Sequence, residues 1–183
     1  CASAARTMFS AGQMIRGLEE QGQGGFWGAE NEGDFCNSSG ECRKWTLHGD
    51  YRAWCGDGDS RIPLKALTSA LDKLVSELRL SGLSGLERLH GVDFREYAMV
   101  TCYPGETRGR YLRHCDVSRG AILTAILYLN QDWTMEDGGC LRLFCEGTGV
   151  LGQRVKEDII PVANRLVLFW ASEVPHEVRA TLR

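Results

Sequence analysis

From Tyr111 onward the chain is written in short apolar runs broken at close intervals by turn residues, a pattern that fits a curled β structure and little else. Ile122 to Leu129 is almost unbroken apolar, Leu141 to Phe144 alternates around Arg142, and Leu166 to Trp170 is a short apolar run. Each has the length of a strand rather than of a helix. Asn130-Gln131-Asp132, Asp137-Gly138-Gly139 and the stretch from Gly147 to Gly152 separate them with residues that turn hairpins. An all-β core follows.

Three side chains stand out within that framework. His114 and Asp116 flank Cys115, and His176 comes about 60 residues later, just after the last apolar run. On a strand alternate side chains share a face, so His114 and Asp116 point together and Cys115 points away. His176 is expected on a neighbouring strand. Two histidines and one carboxylate are the donor set of a non-haem iron(II) oxygenase: they take one face of the metal and leave the other open for co-substrate and oxygen. A lone histidine is more often a surface or hydrogen-bonded residue, and His48 and His90, which match no ligand spacing, read that way.

With 183 residues the chain is expected to be one domain, large enough for a substantial core. Its formal net charge of −3 and scattered cations offer no basic field for a nucleic acid. No segment approaches the roughly 18 consecutive apolar residues of a membrane span. A monomer acting on neither nucleic acid nor membrane is expected. The first residue is Cys1, with no charged-then-apolar signal segment, so the sequence reads as a piece excised from a longer protein. Its eight cysteines lack C-x-x-C spacing. Cys36, Cys42 and Cys55 fall in loop-like sequence, whereas Cys102, Cys140 and Cys145 fall in or beside strands; reduced thiols, and with them a cytosolic or nuclear setting, are expected.

Met8, Ala11, Ile15 and Leu18 predict an amphipathic helix over Ala4 to Gln21, stopped by Gly22-Gln23-Gly24-Gly25. Gly22 to Arg43 reads as a long surface loop with at most a short strand near Phe26-Trp27. Trp45 to Leu47 and Tyr51 to Trp54 read as two strands around Gly49-Asp50, followed by a flexible stretch at Gly56. Leu64, Leu67, Leu71, Leu74 and Leu78, between Pro63 and Gly82, predict a second, supporting helix, too short in pattern for a coiled coil.

Several motifs in order carry a resemblance: MVTCYPG at Met99, the H-x-D pair, LYLNQDW at Leu127, GGCLRLF at Gly138 and LFWASEVPHEV at Leu168, with weaker likeness at His48-Gly49-Asp50. Over residues 44 to 178 the chain resembles the oxygen-sensing prolyl 4-hydroxylases that modify hypoxia-inducible factor α. The resemblance implies a mainly β fold with flanking helices, a double-stranded β-helix (jelly-roll-like, cupin-type) barrel with the metal inside. It implies iron(II) as cofactor, 2-oxoglutarate and O2 as co-substrates, ascorbate as a supporting reductant, and hydroxylation at C4 of a prolyl residue in a protein.

Tyr103 and Tyr128 align with tyrosines that frame 2-oxoglutarate in the family, and Ile126, Leu141 and Val178 would line the same space; core packing is the alternative for all five. The far carboxylate of 2-oxoglutarate needs a cation, best a planar guanidinium. In the family that arginine opens a strand somewhat farther past the last histidine than this sequence extends, so either a short deletion makes Arg183 that residue or the true one was trimmed with the last barrel strand. The family region around Asp50 closes over the protein substrate, making Asp50 a candidate contact against the alternative of a solvated turn, and Tyr111 a second candidate. The absence of any lysine after Lys156 supports the oxygen-sensor branch over the collagen-modifying one.

Animal members of the family act on hypoxia-inducible factor α, and similar protist enzymes act on the small adaptor subunit of a cullin-type (SCF) ubiquitin ligase. The interrupted VSRGAIL after Asp116 and the longer EGTGVLGQRVKED connection beyond Phe144 depart from the animal pattern and point to the adaptor. Two rival classes are a nucleic-acid demethylase on the same barrel, which would need a basic groove and stacking aromatics, and a non-catalytic metal-binding β-barrel.

Overall fold

The computed structural model describes residues 1–16, 49–117, 120–147 and 153–183. Cys36, Cys42, His48 and the strands expected near Phe26 and at Trp45 to Leu47 lie outside them.

The first helix is shorter than its apolar spacing predicts. Helix α1 covers Ala2–Ser10, and Gly12, at φ +67°, turns the chain into a two-residue strand, β1 (Ile15–Arg16). Ile15 is therefore a strand residue, 48 % exposed, and not part of a helical stripe. Strand β2 (Tyr51–Cys55) pairs with β1 and with β3 (Ala98–Cys102), giving a three-stranded antiparallel sheet in the order β1-β2-β3. Alternation along β2 sends Ala53 and Cys55 to one face, where they join Met8, Met14, Ile62, Leu64 and Val100 in a core under the helices. Arg52 and Trp54 face the other way.

Helix α2 (Lys65–Leu80) begins after Pro63 and is closed by Gly82, whose φ of +66° ends a helix at no steric cost. Leu64 is buried and Leu67 packs on the helical core, while Leu71, Leu74 and Leu78 are half-buried. It buttresses, as its leucine stripe predicts.

The remaining strands form two facing sheets. Strands β4 (Tyr111–His114), β6 (Leu141–Glu146), β7 (Gln153–Ile159) and β9 (His176–Val178) make a four-stranded sheet in the order β4-β9-β6-β7. Strands β5 (Leu123–Leu127) and β8 (Leu166–Trp170) pair along their full length. Leu141 and Leu143 from one sheet and Phe169 from the other meet in a second core with Ile126, Tyr128, Ile159, Val167, Val174 and Val178 packed around it. Burying these faces against each other is what holds the layers together. This is the expected jelly-roll-type layering, with the described strands in separate sheets rather than in one closed cylinder of hydrogen bonds.

The apolar pattern does not mark one strand: the second half of the long connection beyond Phe144 is β7, paired antiparallel to β6. On the outward face of that pair Arg142 grips Asp158 through two bonds of 2.7 Å and sits in register with Glu177. Polar residues outward and leucines inward explain the alternation around Arg142.

Candidate metal centre and its cavity

β9 lies between β4 and β6, and its register sets His176 directly beside His114. Sequence spacing placed His114 and Asp116 on one strand; in the structure β4 ends at His114, and Asp116 lies beyond it, tied by its backbone N–H to the Ala171 carbonyl at 2.9 Å. The three side chains still converge. One donor atom from each lies within 4.8 Å of the others. His114 Nε2 is 3.3 Å from Asp116 Oδ1, and His176 Nε2 is 3.7 Å from Asp116 Oδ2.

Both imidazoles are oriented from behind by backbone. His114 Nδ1 lies 2.8 Å from the Leu112 carbonyl and His176 Nδ1 lies 2.9 Å from the Val174 carbonyl. A carbonyl only accepts, so each Nδ1 carries a proton and each ring, in its neutral form, turns an Nε2 lone pair toward Asp116. Asp116 Oδ2 in turn accepts the Thr124 hydroxyl at 2.6 Å. Lone pairs converging on a carboxylate repel unless a cation lies among them. Donors on one face of a six-coordinate ion with bonds of about 2.1 Å sit about 3 Å apart, which the observed separations approach, so the residues fit a divalent metal bound through two Nε2 atoms and one carboxylate.

The electrostatics agree. Burial pushes the Asp116 carboxyl up, but His114 and His176, when a ring carries a second proton, and the Thr124 hydroxyl outweigh it and hold the group below its ordinary value. His176, 3 % exposed, is held below the ordinary imidazole value by burial first and by His114 second, against the opposing pull of Asp116. A neutral His176 and an ionised Asp116 are the protonation states a metal requires.

A single large cavity is lined by His114, Asp116 and His176 together with Tyr103, Tyr111, Tyr128, Ile126, Leu141, Val178 and Arg183. Ile126, Tyr128, Leu141 and Val178 also belong to the core between the two sheets. Burial, above all, pushes the Tyr103 and Tyr128 phenols far up, so both are neutral hydrogen-bond donors. Tyr111 lies with its ring 4.5 Å from that of His114.

Asp50 and Arg183 stand apart. Asp50 is 0 % exposed and so is no solvated turn residue; it is absent from the cavity lining, and both its oxygens bind Arg52 at 2.8 and 3.1 Å. Arg183 sits at the edge, its side chain 54 % exposed, donating to the Asp132 carbonyl at 2.8 Å and lying over the Trp133 ring. Motif spacing missed two participants. Thr124 is the one threonine in the apolar run of β5, and Arg52 follows Asp50 by two positions, the spacing that puts both on one face of a strand.

Residues 98–183 match the 2OG-Fe(II) oxygenase superfamily. Prolyl hydroxylase EGLN3 of Mus musculus is 35 % identical over 167 residues, 88 % of this chain and 65 % of that protein. Egl nine homolog 1 of Mus musculus is 34 % identical over 173 residues, 92 % of this chain and 39 % of that protein. The chain thus spans less than two thirds of the length of these curated relatives. A solved prolyl hydroxylase from Trichoplax adhaerens, in complex with a hypoxia-inducible factor oxygen degradation domain peptide fragment, superposes with a TM-score of 0.70 at 26 % identity, covering 98 % of this chain and 70 % of that one. Sequence match over residues 98–183, which bear the donors, and shared fold over nearly the whole chain agree: this chain is similar to the 2-oxoglutarate- and iron(II)-dependent oxygenases and, among them, to prolyl hydroxylases.

Proposed function

We propose that the protein is an iron(II)- and 2-oxoglutarate-dependent prolyl 4-hydroxylase acting on a protein substrate in oxygen sensing. The observation that carries this is the pair of backbone-oriented imidazoles presenting Nε2 to one half-buried carboxylate inside an apolar, tyrosine-framed cavity. His114, Asp116 and His176 would hold ferrous iron, which would supply the O2 activation that couples decarboxylation of 2-oxoglutarate to hydroxylation at a prolyl C4. The chain itself supplies placement and dryness. Tyr103 and Tyr128 offer neutral hydroxyls to the oxygens of 2-oxoglutarate, and Ile126, Leu141 and Val178 keep water from that part of the cavity. Arg183, exposed at the edge of the cavity, is the cation we assign to the far carboxylate.

For the substrate we propose the small adaptor subunit of a cullin-type ubiquitin ligase, and the departures around Val117 and beyond Phe144 support that choice. A second reading, a segment of hypoxia-inducible factor α, is favoured by the bound peptide in the Trichoplax adhaerens relative. The free state of all six described cysteines supports a cytosolic or nuclear setting. Incubation of the enzyme with iron(II), 2-oxoglutarate, ascorbate, oxygen and each candidate protein, followed by mass spectrometry, tests this. The adaptor should gain one oxygen on proline, and His176→Ala should abolish the gain. Modification of the transcription-factor segment alone would defeat the adaptor assignment, and turnover surviving His176→Ala would defeat the reading as a whole.

A further inference from the structure

Arg52 has no place in the donor motif, yet it links Asp50 to the metal centre. It projects from β2 on the face opposite the helical core and lines the same cavity as the three donors. Its Nε and Nη2 hold the two oxygens of Asp50 at 2.8 and 3.1 Å, and the pair is dry, with the side chains 9 % and 0 % exposed. A fork-shaped pair in such surroundings is rigid, because opening it strands a buried charge. The same guanidinium lies 5.2 Å from the centre of the Tyr111 ring and hydrogen-bonds its hydroxyl. Tyr111 then lies against His114, the two rings inclined at 47°. The imidazole of His114 is thus fixed from one side by the Leu112 carbonyl and from another by a phenol whose own place depends on Arg52.

We propose that Arg52 is a positioning residue for the metal centre: locked by Asp50, it holds Tyr111 against His114 and so sets the plane of that ligand and the cavity wall beside it. This rests on the metal reading above. Lysine cannot substitute, since a single ammonium has neither the fork that binds both carboxylate oxygens nor a flat face to lay on the ring.

The test uses the whole chain, unsubstituted and as Arg52→Lys, Tyr111→Leu and the double variant. Iron(II) affinity is titrated anaerobically, 2-oxoglutarate binding is read from the visible charge-transfer band, and folding is checked by circular dichroism and thermal melting. Arg52→Lys should fold and weaken iron binding about tenfold or more, as removal of a group that orients a ligand does. In the Tyr111→Leu background the same substitution should change nothing further, because the connection is already cut. Iron affinity within twofold of the unsubstituted chain, or an equal loss in both backgrounds, overturns the proposal. Should Arg52→Lys not fold, Tyr111→Phe carries the test, since it keeps the ring and deletes only the hydroxyl that Arg52 holds; undiminished iron affinity there overturns it equally. Failure of the unsubstituted chain to bind iron would instead strike the metal reading itself, and the proposal with it.

Discussion

Replacing Thr124 by valine removes one hydroxyl and nothing else, and the structure lets its effect be sized. The Thr124 hydroxyl donates to Asp116 Oδ2 at 2.6 Å, a short bond to a charged acceptor. Such bonds contribute about 1.5–3 kcal/mol net. The Asp116 side chain keeps 30 % of its exposure, so water can replace the lost donor in part and the low end applies, about 1.5 kcal/mol or roughly tenfold in an equilibrium constant. Valine has the shape of threonine, so no cavity opens. Anaerobic titration of Thr124→Val should therefore give about tenfold weaker iron(II) binding, and urea denaturation of the metal-free variant a loss of about 1.5 kcal/mol. The pH dependence should move as well. Asp116 is held below the ordinary carboxyl value, so its contribution to stability is present above about pH 3.9 and is lost as pH falls through its lower folded value. Without the threonine that folded value rises, and the acid limb of metal binding shifts to higher pH. Iron affinity within twofold, with an unmoved acid limb, would refute the claim that this hydroxyl orients the ligand.

Three further outcomes are expected. In the metal-free protein His176 binds its proton less readily than an unfolded imidazole, so stability is full above about pH 6.5 and declines as pH falls through the lower folded value; urea midpoints across that range should show the decline, and His176→Gln should flatten it. Leu141, 0 % exposed between the two sheets, should cost about 3 kcal/mol on truncation to alanine, read from chemical denaturation. A Cβ at Gly109 would lie 2.8 Å from the Gly49 carbonyl oxygen and 2.9 Å from the Tyr103 backbone, so Gly109→Ala should destabilise by on the order of 3 kcal/mol and weaken 2-oxoglutarate binding by displacing Tyr103; a calorimetric titration with unaltered 2-oxoglutarate affinity would contradict this.

What the sequence made legible follows from the range over which each signal acts. Strand β8 coincides with its apolar run, because a run of five with no polar interruption has one way to be buried. Helix α1 stops early because Gly12 at positive φ outranks the apolar spacing beyond it, a local backbone fact that a count of apolar residues passes over. The donor residues were legible through spacing; Thr124 and Arg52 sit close in sequence to Asp116 and Asp50, but a threonine in an apolar run and an arginine in a strand do not name their partners until the fold sets them. Arg183 was legible only as a terminal cation; its lodging between Asp132, Asp137 and Trp133 depends on the Gly138–Thr181 bridge that brings the chain end back to that loop.

The inner nitrogens of the two ligand imidazoles are already committed to the peptide carbonyls two residues before them. Arrival of an ion at the outer nitrogens then demands no tautomeric exchange of either ring. Capture should be limited by the ion's shedding of its own hydration.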